Sequence, residues 1–362
     1  MKLLYITNGT NGAGGLERVL SVKASFLADN YSYEVHILVL NNMHQNGFYE
    51  FSNKIKFHSI KVDGNPLQYL QAYRKGIQLL VDDIQPDIIS VCDDGLKAFF
   101  IPQFLRTRAK LMYERHVSKL IEAREGQRFF KKLMIRSKWI LMEKLGQSFS
   151  KFIVLTEGNK NEWPSLPNLE VISNPLSFYP EQSSLLDSKT VICVGKISYQ
   201  KGQDLLVKAW ESVFAKHPDW QLHLYGKENI EVLDTNVLDK NILHFPPVKD
   251  IEKKYLKSSI YVMSSRFEGF GMVLIEAMAC GVPCVSFDCD YGPSDIISTG
   301  NDGFVVEKAN TNQLAEKIIL LIENSDLRQA MGQQAKQNVI AYAPSIIAEK
   351  WHQLFISLMT QK

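Results

Sequence analysis

Short apolar runs alternate with longer stretches of helical period along most of the chain. KLLYIT (2–7), EVHILVL (34–40), IKFHSI (55–60), DIISVC (87–92), KLMYE (110–114) and KFIVL (151–155) read as strands. They are rich in β-branched and aromatic residues, and helical patterns over about 16–28 and 67–82 fall between them. Strands that are apolar on every residue are buried on both faces, which is the mark of a parallel sheet covered by helices. The polar, proline-bearing stretch 174–188 lacks either period and reads as a linker. The pattern then restarts with TVICVG (190–195), a helix over 203–215, WQLHLYG (220–226), ILHF (242–245), a helix over 251–257 and IYVMSS (260–265). A helix MVLIEAMAC (272–280) and a strand PCVSFD (283–288) follow, and the tail 344–359 is a long amphipathic helix. The expectation is α/β, two doubly wound domains at 1–172 and 173–343. The tail, 344–362, returns to the first, and a ligand cleft lies at the carboxyl ends of both sheets.

Composition adds bounds. A chain of 362 residues, 45% hydrophobic, exceeds the roughly 250–300 residues at which single cores stop growing. No run approaches the ~18 apolar residues of a membrane span. The first apolar stretch turns polar at Thr7 and Asn8, too soon for a signal peptide. Five cysteines without framework spacing fit a reducing compartment, so a cytoplasmic protein is expected. Net charge is only +2, yet residues 97–151 hold 14 basic and 4 acidic side chains. Within 119–151 the run RFFKKLMIRSKWILMEKL interleaves cations with aromatic and aliphatic residues. That segment is expected to meet an anionic membrane surface peripherally, and no nucleic-acid partner is expected.

Three loops carry candidate chemistry. NGTNGAGGLER (8–18) places Gly14 and Gly15 between a strand and a helix, where bare backbone and a helix N-terminus favour an anion. The spacing is neither GxGxxG nor a P-loop. VGKISYQKGQDLL (194–206) brings Lys196 and Lys201 to a second strand-to-helix turn, a charge pair suited to a diphosphate. In SRFEGFGMVLIEAMACGVPC (265–284), Glu268 precedes a helix and Glu276 sits one turn inside it, among Leu274, Ile275, Ala277 and Met278. A carboxylate there must be paired, neutralised or reaching a polar ligand. The DCD at 288–290 and the cysteines 280, 284 and 289 lack the context of a metal site, and no metal is expected.

EGFGMVLIEAMACGVP resembles the E-x7-E block of glycosyltransferase family 4, with GAGGLER, ISNPL, VGKISYQKG and GPSDII matching in order. The resemblance spans almost the whole chain. It implies a GT-B fold, two Rossmann-like domains facing each other across a cleft. It also implies a retaining, metal-independent glycosyltransferase with no cofactor beyond its nucleotide-sugar donor, UDP by preference. The acceptor would be a glycan or a polyprenyl-diphosphate-linked glycan in bacterial surface polysaccharide synthesis. On that pattern Glu276 binds the ribose hydroxyls, and Glu268 lies at the reacting centre. Lys196 and Lys201 hold the diphosphate; Gly14 and Gly15 face it. Phe270, Gly271, Met272 and Val273 line the donor, and His116 contacts the transferred sugar. Lys196 stands where the family pattern has arginine. A sugar-nucleotide epimerase or phosphorylase, or a non-catalytic nucleotide-sugar-binding subunit, are the alternatives on the same fold.

Overall fold

A computed structural model describes residues 1–41, 47–122, 129–229, 231–233 and 239–360. Residues 42–46, after β2, and part of the basic segment, 123–128, lie outside the described residues. The chain divides into two compact units, Met1–Pro175 with Pro344–Lys362, and Leu176–Ala343.

In unit 1 the strands are β1 (Lys2–Thr7), β2 (Glu34–Leu40), β3 (Lys56–Ile60), β4 (Ile88–Cys92), β5 (Lys110–Glu114), β6 (Lys151–Val154) and β7 (Leu169–Val171). The helices are α1 (Gly15–Asn30), α2 (Pro66–Ile84), α3 (Ile101–Phe104) and α4 (Phe129–Gly146). The sheet runs β3-β2-β1-β4-β5-β6-β7, and its strand pairs are parallel. Alternate residues of β1 enter two cores. Leu3 and Tyr5 pack with α1, while Leu4 and Ile6 pack with α2. This burial on both faces is why the strand sequences show no polar alternation. Helix α2 starts on a capping box, with Asn65 accepting from the backbone N–H of Gln68 and the Gln68 side chain accepting from that of Asn65.

Unit 2 contains β8 (Thr190–Val194), β9 (Gln221–Tyr225), β10 (Ile242–Phe245), β11 (Ile260–Met263), β12 (Cys284–Phe287) and β13 (Gly303–Val306). Its helices are α5 (Gln203–Lys216), α6 (Ile251–Tyr255), α7 (Met272–Ala279), α8 (Pro293–Ile296), α9 (Thr311–Glu323) and α10 (Ser325–Asn338). The parallel sheet runs β10-β9-β8-β11-β12-β13. The last helix, α11 (Pro344–Thr360), belongs to unit 1, with Ile347, Trp351 and Phe355 in the same core as α1.

In both units strand order reverses direction beside a central pair, β1 with β4 and β8 with β11. The crevice outside the carboxyl ends of such a pair is where doubly wound sheets receive ligands. Strands end earlier than their apolar runs suggest: Gly195, Ser264 and Ser265 have left the ladder and belong to loops.

Candidate active site

Two loops leave the β8/β11 switch point of unit 2. The first, 195–202, is held from α5, whose Gln203 donates to the carbonyls of Gly195 and Lys196 at 3.3 and 3.2 Å. Gly202 ends it in the left-handed region, φ +62°, and a Cβ there would strike the carbonyl oxygen of Ser264. Only glycine lets the two loops approach so closely. The second loop, 264–271, ends at Gly271, φ +100°, from which α7 starts. Arg266 joins the loops. Its guanidinium grips Asp204 through two bonds of 2.8 and 2.6 Å, donates to the Tyr199 carbonyl at 2.9 Å, and lies 4.3 Å from the Tyr199 ring centroid.

The ammonium of Lys201 meets Glu268 Oε1 at 2.6 Å, and Ser265 Oγ donates to the same oxygen at 2.5 Å. Burial alone would lower the Lys201 pKa, but the Glu268 carboxylate outweighs it and raises it, so the ammonium keeps its charge. The Lys201 side chain keeps 24% of its surface in solvent and that of Glu268 only 6%, so the lysine is the end an incoming anion reaches. The Lys196 side chain is exposed on the same loop. Glu268 is thus more than an acid near a helix N-terminus, because its charge is balanced by a lysine 67 positions away. Phe270 is buried, with its ring 5.6 Å from that of Tyr342. Met272 and Val273 open α7 half-buried, their N–H groups in the turn that lacks helical partners.

Glu276 is fully buried in α7. It accepts from Ser177 Oγ at 3.1 Å and from the Tyr255 hydroxyl at 3.5 Å. Protein groups therefore account for a carboxylate in this apolar run, and its burial is not in itself evidence of a ligand.

In unit 1 the glycine loop follows β1. Gly14 takes an extended conformation as the N-cap of α1, and Gly15 is the helix's first residue. A Cβ on Gly12 or Gly14 would collide with the carboxylate of Glu17, whereas at Gly15 it would meet nothing within 4 Å. The backbone at Gly12 and Gly14 is thus approached by the chain's own carboxylate, drawn back over the first turn of α1 where the helix dipole favours negative charge. His116 follows β5. Its backbone N–H donates to Asp94 Oδ1 at 3.3 Å, and its Nε2 lies 3.3 Å from Glu114 Oε2. Glu114 accepts from Ser90 Oγ at 2.5 Å and is ion-paired with the buried Lys23. Burial pushes the Glu114 carboxyl up, but Lys23 and His116 together hold it well below the usual range. Cys92, Glu114 and His116 bring candidate metal-ligand atoms within 4.8 Å of one another. An ammonium already occupies the shared carboxylate, however, and burial pushes the Cys92 thiol well up. This donor set is balanced by Lys23 and does not call for a cation.

Nothing in the sequence singled out Arg266, Asp204, Ser265, Ser177, Tyr255 or Lys23. Arg266 stands inside the quoted block, but Asp204, which makes it a clamp, is 62 positions away.

Unit 2 thus holds these two loops together with a glutamate before α7 and another within it. A family model described as glycosyl transferases group 1 matches residues 178–338, and one described as glycosyl transferase 4-like matches 17–93. The chain belongs to this group of GT-B glycosyltransferases. It is 29% identical to the amylovoran biosynthesis glycosyltransferase AmsD of Erwinia amylovora, over 98% of this chain and 99% of that protein. A Campylobacter jejuni N,N'-diacetylbacillosaminyl-diphospho-undecaprenol alpha-1,3-N-acetylgalactosaminyltransferase is 25% identical, over 73% of this chain and 66% of that one. Among solved structures, a Staphylococcus aureus TarM variant in complex with fondaparinux, alpha-GlcNAc-glycerol and UDP superposes with a TM-score of 0.79, covering 98% of this chain and 99% of that chain at 17% identity.

Proposed function

We propose that this glycosyltransferase moves a sugar from a UDP-linked donor, with retention of anomeric configuration and without a metal. The acceptor is a glycan or polyprenyl-diphosphate-linked glycan of bacterial surface polysaccharide synthesis. The observation that carries the reading is the Lys201–Glu268 ion pair, set by Arg266 at the unit 2 switch point. The relatives support it by name: one makes amylovoran, one acts on a diphospho-undecaprenol acceptor with an alpha product, and TarM is found with UDP.

In this reading the diphosphate draws the Lys201 ammonium and is met by Lys196. Release of Lys201 from part of its pairing leaves Glu268 turned to the transferred sugar. Glu276 exchanges its Ser177 and Tyr255 partners for ribose hydroxyls, while Phe270, Gly271, Met272 and Val273 line the nucleotide. The acceptor hydroxyl attacks the anomeric carbon from the face the diphosphate is leaving. A phosphate oxygen of the donor takes the hydroxyl proton as the bond to the sugar breaks.

Glu276→Ala is expected to abolish donor-induced stabilisation. Glu268→Ala and Lys201→Ala are expected to lower turnover by about tenfold or more, on the order of 1.4 kcal/mol each. A thermal-shift panel of UDP-, GDP-, ADP- and dTDP-sugars identifies the donor, and NMR of the product's anomeric proton reads the stereochemistry. No stabilisation by any of the four, an inverted product, or turnover of the sugar nucleotide without acceptor would each overturn the proposal.

A further inference from the structure

Helix α4 has two apolar faces. Met142 and Gly146 are buried, and Trp139 and Leu145 pack against the α2-side core of unit 1. A Cβ on Gly146 would lie 3.2–3.3 Å from Leu166 and Phe152, which shows how closely that face is seated. The opposite face carries Phe130, Met134 and Leu141 at i, i+4 and i+11, with Leu133 and Ile140 alongside. Phe130 is 78% exposed, Met134 73% and Ile140 63%, and Phe129 beside them is 75% exposed. Isolated apolar residues on a surface need no explanation, but an apolar stripe along three turns, interrupted only at Ser137, marks an interaction site.

The charges around the stripe point to what covers it. The structure divides the basic segment into anchored and outward cations. Lys119 is buried, bonded to Glu143 and to the Glu162 carbonyl, with its ammonium 3.9 Å from the Trp163 ring centroid. Lys138 is paired with Glu122, and Lys151 with Glu170. That leaves Lys131, Lys132, Arg136 and Lys144 on α4 with no ion-pair partner among the described residues. The helix's one acid, Glu143, is taken by Lys119. At 3.6 residues per turn, Lys131 and Arg136 flank the stripe on opposite sides, and Lys144 closes its C-terminal end. A helix with an apolar stripe bordered by unopposed cations fits the boundary between acyl chains and anionic headgroups.

We propose that α4 lies flat on a membrane surface rich in anionic lipid. Phe129, Phe130, Leu133, Met134 and Ile140 enter the acyl boundary, and Lys131, Arg136 and Lys144 meet lipid phosphates. The proposal stands on α4 alone and does not depend on the donor or acceptor. The test is co-sedimentation of the full chain with phosphatidylcholine vesicles and with vesicles containing phosphatidylglycerol, at low and high salt. The parent is expected to bind the anionic vesicles, and to do so about tenfold more weakly without the anionic lipid or at high salt. Phe130→Ser with Met134→Ser, and separately Lys131→Glu with Arg136→Glu, are each expected to reduce binding about tenfold or more. Both variants should keep the parent's circular dichroism and donor-induced thermal shift, so a failed donor assignment and a failed docking surface are told apart. No binding by the parent at low salt would overturn the proposal. So would serine variants that bind like the parent, or a concentration-dependent dimer lost in the serine variant without vesicle binding.

Discussion

Two lysine–glutamate pairs in this protein look alike on paper and differ in solvent access. Lys23 and Glu114 are 1% and 2% exposed, and the Lys23 ammonium also faces the rings of Tyr5 and Trp351 at 4.9 and 4.2 Å. Lys201 and Glu268 form a pair open on its lysine side. The closed pair is structural; in the proposed mechanism the open one exchanges partners. Lys23→Met is therefore expected to destabilise the chain by about 3–5 kcal/mol in urea unfolding, because it strands a buried carboxylate. Adding Glu114→Gln should recover most of that loss, and a double variant no better than the single would sink the argument. Both glutamates of the E-x7-E block were legible because their spacing is local. Their partners were not: the 67 positions between Lys201 and Glu268, and the 91 between Lys23 and Glu114, are bridged only by the fold. The same holds for Arg266. Arg266→Lys keeps the charge but loses the two-pronged grip on Asp204. It is expected to weaken donor binding by about tenfold, read by titration calorimetry, with unfolding unchanged; unaltered affinity would mean that the clamp does not set the loops.

Among elements, the long apolar strands were readable because burial on both faces makes them continuous apolar runs, bounded by helices with their own period. The misses have local causes. β7 is only 3 residues long, too short to show a period. Helices α9 and α10 carry signals that the sequence reading did not take up, with Asn310 and Asn324 each accepting from an N–H of the first turn. The edge of the unit 1 sheet hides a further feature. His36 on β2 and His58 on β3 are bonded ring to ring, Nδ1 to Nε2, at 2.8 Å. One must donate and the other accept, so both cannot be protonated. Burial pushes both imidazoles below their ordinary value. Glu34 pulls the other way at His36 and Asp83 at His58, while Lys56 adds to the depression at both and Lys2 at His36. The unfolded chain then binds more protons than the folded one as pH falls through 6.5. Stability rises with pH across that window and is lost on acidification. Urea midpoints should fall from pH 7.5 to 5.5, about neutral to mildly acid, and the slope should flatten in His36→Gln with His58→Gln. An equal slope in parent and variant would assign the effect to other groups, such as the half-buried His223, whose pKa is also lowered.

At the scale of the molecule, chain order and core membership disagree. Helix α11 follows all of unit 2, yet Ile347, Ala348, Trp351, Leu354, Phe355 and Leu358 fill the core built by α1, β1 and β2. The amphipathic period of the tail was visible in the sequence and its return to the first domain was expected; the α1, β1 and β2 residues that receive it were not legible. Unit 2 has its own core, from Val191 on β8 to Met331 on α10, to which the tail contributes nothing. Ending the chain after Ala343 should therefore injure one unit and spare the other. Trp351 alone, truncated to alanine, is expected to cost about 3–5 kcal/mol, so loss of the whole helix exceeds the stability of an ordinary domain's margin. Hydrogen exchange followed by peptide is the measurement. The truncated chain should lose protection in β1, β2 and β4, while β8, β11 and β12 stay protected. With Lys196, Lys201, Glu268 and Glu276 all in unit 2, UDP should still slow exchange at 195–202 and 264–276 in the truncated chain, as in the full one. If truncation opened both sheets alike, or if UDP protected only the loops of unit 1, the donor would have been placed on the wrong unit and the independence of the two cores would fall with it.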